Sequence, residues 1–201
     1  AHHKDDQAES ILAHIIRGSG LNGLTGMSVV QSEYAIPVVR PLLDVTKENL
    51  LAYIGTKHIS YCVDSTNEDV RYQRNRIRHR IIPELEAVNP AVVDAIVRLG
   101  SSVNEDVMVI SDLTSRTFDK LVSIGDDEVR ISRRALRQEP LAIQRRLWQR
   151  LVSTIDSDLT LTSAHQEQLL DIVNTGEKKT FTIKSIKVIA QCDTIKVYCK
   201  H

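Results

Sequence analysis

The chain has 201 residues, with 26 Lys plus Arg against 26 Asp plus Glu, so its zero net charge argues neither for nor against nucleic acid. The length suits one domain or two smaller ones, and these residues hold no membrane-length apolar run and no signal-peptide pattern. Three cysteines (Cys62, Cys192, Cys199) without metal-type spacing point to a reducing cytoplasm, and 4% aromatics are too few for a base-stacking platform.

The first residues, Ala-His-His-Lys-Asp-Asp-Gln-Ala-Glu-Ser, run into an amphipathic helix whose apolar positions are Ile11, Leu12, Ile15 and Ile16. Asp6 with Glu9 three residues later reads as a capping box, so the helix is expected to start at Asp6. His2 and Asp6 then lie beside a helix N-terminus, where unpaired amides favour anions. Gly18, Gly20, Gly23 and Gly26 follow in a loop that permits close backbone approach to a ligand, although a plain connection is the preferred reading of the glycines alone. It is not a Walker loop, since no Gly-Lys-Ser/Thr follows.

Val29-Val30 and Ala35 to Arg40 read as short strands limited by Pro37 and Pro41. Thr46 is expected to cap a helix over 47–54 with Leu50, Leu51 and Ile54 buried, and Asp64-Ser65-Thr66-Asn67 forms a turn. The segment Arg71 to Arg80 carries five arginines and lacks acidic partners at i,i+4. A solvated helix face is the bland reading, and phosphate contact by arginine forks is the preferred one. Pro83 is expected to break this helix.

From Val92 through Leu121 the apolar spacing predicts one long helix or one kinked helix, with Gly100-Ser101-Ser102 as the kink. A domain boundary is expected here, dividing 1–98 from 99–201. Val129 to Ile131 reads as a strand, Ser132 as the cap of a short helix to Gln138, and Pro140 as lying in the first turn of a helix to Ile155. The core side of that helix is expected to be Leu141, Ile143, Leu147, Leu151 and Val152, while Arg145, Arg146 and Arg150 form a second basic patch. A helix capped by Thr162 or Ser163 runs through Val173, and the alternating tail, broken at Ser185 and Cys192-Asp193, predicts a small antiparallel meander.

Several stretches, in this order, resemble the bacterial tRNA(Ile)-lysidine synthetases: His2-His3-x-x-Asp6-Gln7-Ala8-Glu9-Ser10, Arg17-Gly18-Ser19-Gly20-Leu21-x-Gly23-Leu24, Arg40-Pro41-Leu42-Leu43, Asp64-x-Thr66-Asn67, Arg74-Asn75-Arg76-Ile77-Arg78 and Asn89-Pro90. The resemblance covers about the first ninety residues; the rest is similar to that family's helical substrate-binding domain in pattern alone. It implies an α/β fold. By the same resemblance, part of a Rossmann-like N-type ATP pyrophosphatase domain is expected to be followed by a mainly helical tRNA- or substrate-binding domain with a small antiparallel sheet.

The implied reaction uses ATP to adenylylate the wobble cytidine of tRNA(Ile) with a CAU anticodon, after which the amine of free L-lysine attacks the activated carbon. The resemblance assigns catalysis to His2, Asp6 and Arg74, with Asp6 also a Mg²⁺ ligand in one version. Nucleotide contact falls to His3, Arg17, Gly18, Gly20, Asn75 and Arg78, and tRNA contact to Arg71, Arg76, Arg80, Arg145, Arg146 and Arg150. Arg40 and Asp64 fit a loop-holding role equally well. A homodimer is a further option. The family's phosphate loop, Ser-Gly-Gly-x-Asp-Ser, does not occur in these residues, so the stretch is expected to be a fragment that is inactive alone. Two alternatives stand beside this reading: another tRNA-modifying enzyme of the superfamily such as a thiolase, for which Cys62 has no partner cysteine nearby, and a non-catalytic tRNA-binding module. A His-x-x-x-Asp metal site lacks a third ligand by sequence.

Overall fold

The structure is a computed structural model and describes residues 2–31, 36–62, 71–125 and 128–199. Two compact units are formed, Ala1–Val107 and Met108–His201.

In the first unit, helix α1 (Lys4–Ile16) begins two residues before the expected start, with His3 as its N-cap. Asp6 occupies the third helical position and its Oδ2 accepts from the His3 N–H at 2.9 Å. The carboxylate therefore reaches backward as the acidic half of a capping box, instead of forward as a cap. Asp5 Oδ2 accepts from the Lys47 N–H at 2.8 Å, and the Lys4 N–H donates to Val45 O at 2.9 Å, so the start of α1 is tied to the start of a later helix.

After a short α2 (Leu21–Leu24), strands β1 (Val30–Gln31) and β2 (Val38–Val39) pair antiparallel. Helix α3 (Lys47–Thr56) is capped as expected, with Thr46 Oγ1 accepting from the Asn49 N–H at 3.2 Å. The turn expected at 64–67 lies outside the described residues.

The arginine segment forms α4 (Gln73–Arg76), a π-helical turn (Ile77–Ile81) and α5 (Ile82–Val88) without interruption. Pro83 thus does not break the helix. Its ring would clash with the carbonyl four residues back in a regular α-helix; the wider turn before it, closed by the Ile82 N–H to Ile77 O, relieves that crowding. Helix α6 (Val92–Leu121) runs unbroken through Gly100, in agreement with the long-helix alternative. A Cβ at Gly100 would stand 2.7 Å from Ile11 Cδ1 and 3.2 Å from Leu24 O, so glycine serves close packing there. The division between the units falls within α6, on the same helix as the expected 98/99 boundary.

In the second unit, β3 (Val122–Ile124), β4 (Val129–Ser132), α7 (Arg133–Gln138), α8 (Leu141–Ile155), α9 (Ser163–Asn174), β5 (Lys179–Ile183), β6 (Ile186–Gln191) and β7 (Thr194–Cys199) follow in order. The sheet has the order β3-β4-β7-β6-β5 and every pair is antiparallel. The expected meander is therefore present, extended by a hairpin from earlier in the unit. Among the described residues no parallel pair occurs in either sheet, so the expected Rossmann-like sheet is not built by them.

Alternation puts Val129, Ile131, Val188, Ala190, Ile195 and Val197 on the buried face, against Leu136, Leu147, Trp148, Leu151, Leu169 and Val173 of the helices. Leu141, expected in this core, is 51% exposed because it occupies the first position of α8. Among the described residues, no helix is long and apolar enough to cross a membrane.

Arg133 organises the end of this unit. It is 1% exposed, and among the described residues its guanidinium hydrogen-bonds to no carboxylate; it donates to the carbonyls of Ile172 (2.6 Å), Glu177 (3.1 Å), Cys192 (3.3 Å) and Thr175. Arg137 adds donors to Val173 O at 2.9 Å and Thr175 O at 3.0 Å. Two cations thus satisfy the orphan carbonyls and the negative dipole end of α9. Burial lowers the Arg133 pKa, with the nearby Arg137 charge acting in the same direction. The same guanidinium, with the Arg133 N–H donating to Asp193 O at 2.8 Å, holds the β6–β7 turn, where Cys192 takes a left-handed φ of 50°.

Arg133→Met is expected to cost about 3 kcal/mol by leaving buried carbonyls unpaired. The check is urea unfolding followed through Trp148, the chain's one tryptophan. Glu128 gives a pH test. Hydrogen bonds from Tyr198, Arg130 and Lys196 pull its pKa from 4.5 to about 2. Its contribution is full above pH 4.5 and is lost as pH falls through about 2. Carboxyl NMR should show a midpoint near 2, and Glu128→Gln should flatten the stability profile in that window.

Candidate active site

Asp6 and Glu9 lie three apart on α1 and therefore on one face of the helix. Both are buried, at 5% and 1% exposure. Two adjacent carboxylates withdrawn from water repel each other and are stable only with cations among them. The cations come from 65 to 72 residues further along the chain. Arg74 donates from Nε to Glu9 Oε2 at 2.9 Å and from Nη2 to Asp6 Oδ1 at 2.7 Å. Arg78 donates from Nε to Glu9 Oε1 at 2.6 Å, and from Nη2 to Glu9 Oε2 at 3.0 Å and Asp6 Oδ1 at 3.1 Å. The two arginines are themselves four residues apart across the π-helical turn, so α1 and the arginine segment meet as facing pairs.

The result is a neutral four-group cluster with multiple charge-assisted hydrogen bonds. The hydrogen bond to Glu9 raises the Arg78 pKa, against the effect of burial, with the charges of Glu9, Asp6 and Asp5 adding to the rise. Arg74 is the more open member, its side chain 50% exposed against 21% for Arg78. Its Nη1 has no acceptor among the described residues. Beside it lies a depression of about 190 Å³ lined by Glu9, Ser10, Ala13, Arg17, Gln73 and Arg74, with Met27 at its edge.

His2 is half-buried at the start of α1. The His3 ring faces acids, with Nδ1 3.2 Å from Asp5 Oδ2 and Nε2 3.4 Å from Asp6 Oδ2. Arg17 reaches the depression just described, while Gly18 ends α1 with a φ of 72° and Gly20 precedes α2. Arg71 and Asn75 are engaged in interactions of their own. Arg76 and Arg80 line a different depression from Arg74. Arg40 donates to Ser28 O at 3.1 Å and Gln31 Oε1 at 2.9 Å, which holds the β1–β2 ribbon. Asp64 lies outside the described residues. In the second unit, Arg146 donates to Ala142 O at 3.2 Å, Arg145 is exposed, and Arg150 bonds Ser115 Oγ with its guanidinium 4.9 Å from the Phe118 ring centre.

Two residues gain roles that sequence reasoning missed. Glu9 is the centre of the ion cluster and not a capping partner of Asp6. Gln7 pairs its amide with the Met27 backbone, donating to Met27 O at 2.8 Å and accepting from the Met27 N–H at 2.5 Å. Gly26 is required beside it: its φ is 72°, and a Cβ would stand 2.6 Å from Gln7 Oε1. Both residues fall inside the His-His-x-x-Asp-Gln-Ala-Glu stretch, which was the available signal.

Asp6 does not fit a Mg²⁺ ligand as placed. One oxygen lies between two guanidiniums and the other accepts from the His3 N–H. Among the described residues no group of three His, Cys, Asp or Glu side chains is arranged to hold a metal.

Glu9→Gln should lose about 3 kcal/mol, because it leaves a partly buried guanidinium charge under-compensated. Adding Arg78→Met should recover part of that loss, giving a coupling of about 2 kcal/mol in a double-mutant cycle read by thermal unfolding. Simple additivity would contradict the cluster.

Residues 1–85 match the PP-loop domain family. The chain is 44% identical over 130 residues to a tRNA(Ile)-lysidine synthase of Porphyromonas gingivalis, covering 65% of this chain and 28% of the relative. With a tRNA(Ile)-lysidine synthase of Geobacter sulfurreducens it shares 32% identity over 172 residues, covering 85% of this chain and 36% of the relative. With that of Francisella tularensis the identity is 37% over 137 residues, covering 63% and 34%. The chain thus spans between 28% and 36% of the length of these relatives. The ion cluster joins two of the motifs on which the resemblance rests, and with these matches residues 1–85 belong to the PP-loop domain family, in a chain similar to tRNA(Ile)-lysidine synthases.

Proposed function

We propose that this chain supplies the acid–arginine side of a site that uses ATP to adenylylate the wobble cytidine of tRNA(Ile) with a CAU anticodon, for attack by L-lysine. Diphosphate leaves in the first step; in the second the lysine amine bonds to carbon, AMP leaves, and the amine gives up a proton. The observation that carries the reading is the state of Arg74, a half-exposed guanidinium oriented by two buried carboxylates, whose Nη1 has no acceptor among the described residues. Phosphoryl-type transfers depend on donors already aimed where negative charge develops, and a guanidinium clamped on one edge loses little freedom when its other edge meets phosphate.

In this reading Arg74 touches the reacting phosphate, while Asp6 and Glu9 are positioning residues because their oxygens are engaged. Arg17, which lines the small depression with Arg74, adds charge for the nucleotide, and the resemblance assigns nucleotide contact to His3, Gly18, Gly20, Asn75 and Arg78 as well. His2, near the cluster by sequence, is the group assigned to the amine proton. Mg²⁺, if used, takes its ligands from outside Asp6. The thiolase alternative is weaker, since Cys62 is the one cysteine in residues 1–107.

The test is incorporation of labelled lysine into a CAU-anticodon tRNA(Ile) transcript by the full polypeptide that carries this stretch. Arg74→Ala should lower kcat about 100-fold, the scale of losing one transition-state donor. Transfer of sulfur, or no lysine incorporation with ATP present, would defeat the proposal.

A further inference from the structure

The arginine segment is divided in two by its own geometry. Residues two apart on a helix stand about 200° around its axis, so Arg76 and Arg80 cannot share the direction of Arg74 and Arg78. The latter pair is neutralised by Asp6 and Glu9. Arg76 and Arg80 are exposed and have no ion-pair partner among the described residues. They stand over a groove of about 460 Å³ whose floor is apolar: Ile16 from the end of α1, with Ile77, Ile81 and Leu85 from the π-helical turn and α5. Ile16 is 53% exposed there, which is unusual company for two unpaired guanidiniums.

An apolar floor with cations at its edge matches a molecule that is flat and apolar in its body and anionic along its border. We infer that this groove takes one unstacked nucleotide of a single-stranded RNA segment, its base against Ile16, Ile81 and Leu85 and its flanking phosphates on Arg76 and Arg80. This rests on the reading that the family's RNA is the substrate, and names where a part of that RNA docks. Arginine forks suit phosphate oxygens, and Glu84, the one acid lining the groove among the described residues, opposes two guanidiniums with a single charge. An unpaired base needs an apolar face to leave its stack, whereas a duplex keeps its bases covered and would use the arginines alone. The floor is aliphatic and short, which accounts for a site of one base in a chain poor in aromatics.

The experiment is fluorescence anisotropy of the 201-residue chain with a labelled single-stranded RNA and a duplex RNA of equal length, over a series of salt concentrations. The single strand should bind more tightly. Arg76→Gln with Arg80→Gln should weaken it at least about 10-fold and flatten the log–log salt slope by about 1.4, from two lost single-strand phosphate contacts. Ile16→Ser, at an exposed position with little risk to folding, should weaken it about 5-fold with the slope unchanged, as loss of a base contact predicts. Glu84→Gln should tighten binding or leave it unchanged. If RNA still binds but neither the arginine pair nor Ile16 affects it, the groove is not the RNA site and is a protein contact instead. Loss confined to Arg145→Gln with Arg150→Gln would place the RNA on the second unit and equally overturn the inference. If the unaltered chain binds no RNA, the RNA reading falls with it, and the two failures are thereby distinguished.

Discussion

Two ionised carboxylates three residues apart on one helix, both nearly out of water, are the constraint on which the first unit depends. Left alone they would repel each other and draw in solvent. The fold meets them with two guanidiniums four residues apart on another helical segment, so that Glu9 accepts from both arginines and Asp6 Oδ1 is shared between them. Because the four groups fit only as a set, the cluster fixes the separation and the rotation of α1 against the arginine segment. Everything placed by α1 follows: the Asp5 tie to α3, the Gln7 clamp on Met27, and the packing of Ile11 against Gly100.

The same constraint explains the character of the arginine segment. A run of five arginines reads as one basic surface in sequence, yet the helix presents its members in different directions. Arg74 and Arg78 are spent inward on carboxylates, and Arg74 alone of the two keeps substantial exposure. Arg76 and Arg80 face a groove instead. The π-helical turn allows the segment to carry Pro83 without breaking, so that Ile77 and Ile82 both remain in the core.

The second unit solves a related problem differently. Arg133 is a buried cation, and carbonyl oxygens at the end of α9 and in neighbouring turns, not an acid, surround it. A charged donor among many dipoles can be as well satisfied as one in an ion pair, provided that several acceptors converge. Here they converge because the C-terminal end of α9 and the β6–β7 turn meet at the first turn of α7. That is a structural use of arginine, and it shows why counting basic residues in this unit says little about nucleic acid.

Local rules were enough to read much of the chain from its residues. The caps at Thr46, Ser132 and Thr162, the spacing of α8 and α9, and the alternation of the final strands all depend on neighbours within a few positions. The motif set also carried the family, because those residues stand in order along the chain. What sequence could not supply was the partner of each charge. Asp6 and Glu9 looked like a helix cap, since a capping box also has that spacing; tertiary contact alone assigned Glu9 to two arginines more than sixty residues away. Pro83 looked like a helix end, and at Gly100 a long and a kinked helix both stood open, because the crowding that decides each case comes from chain geometry and from side chains of other elements. The sequence by itself determined which residues are chemically able to act here. Which of them are neutralised, and which keep a free edge, was decided by the tertiary structure, because electrostatic pairing depends on distance in space and not on separation along the chain.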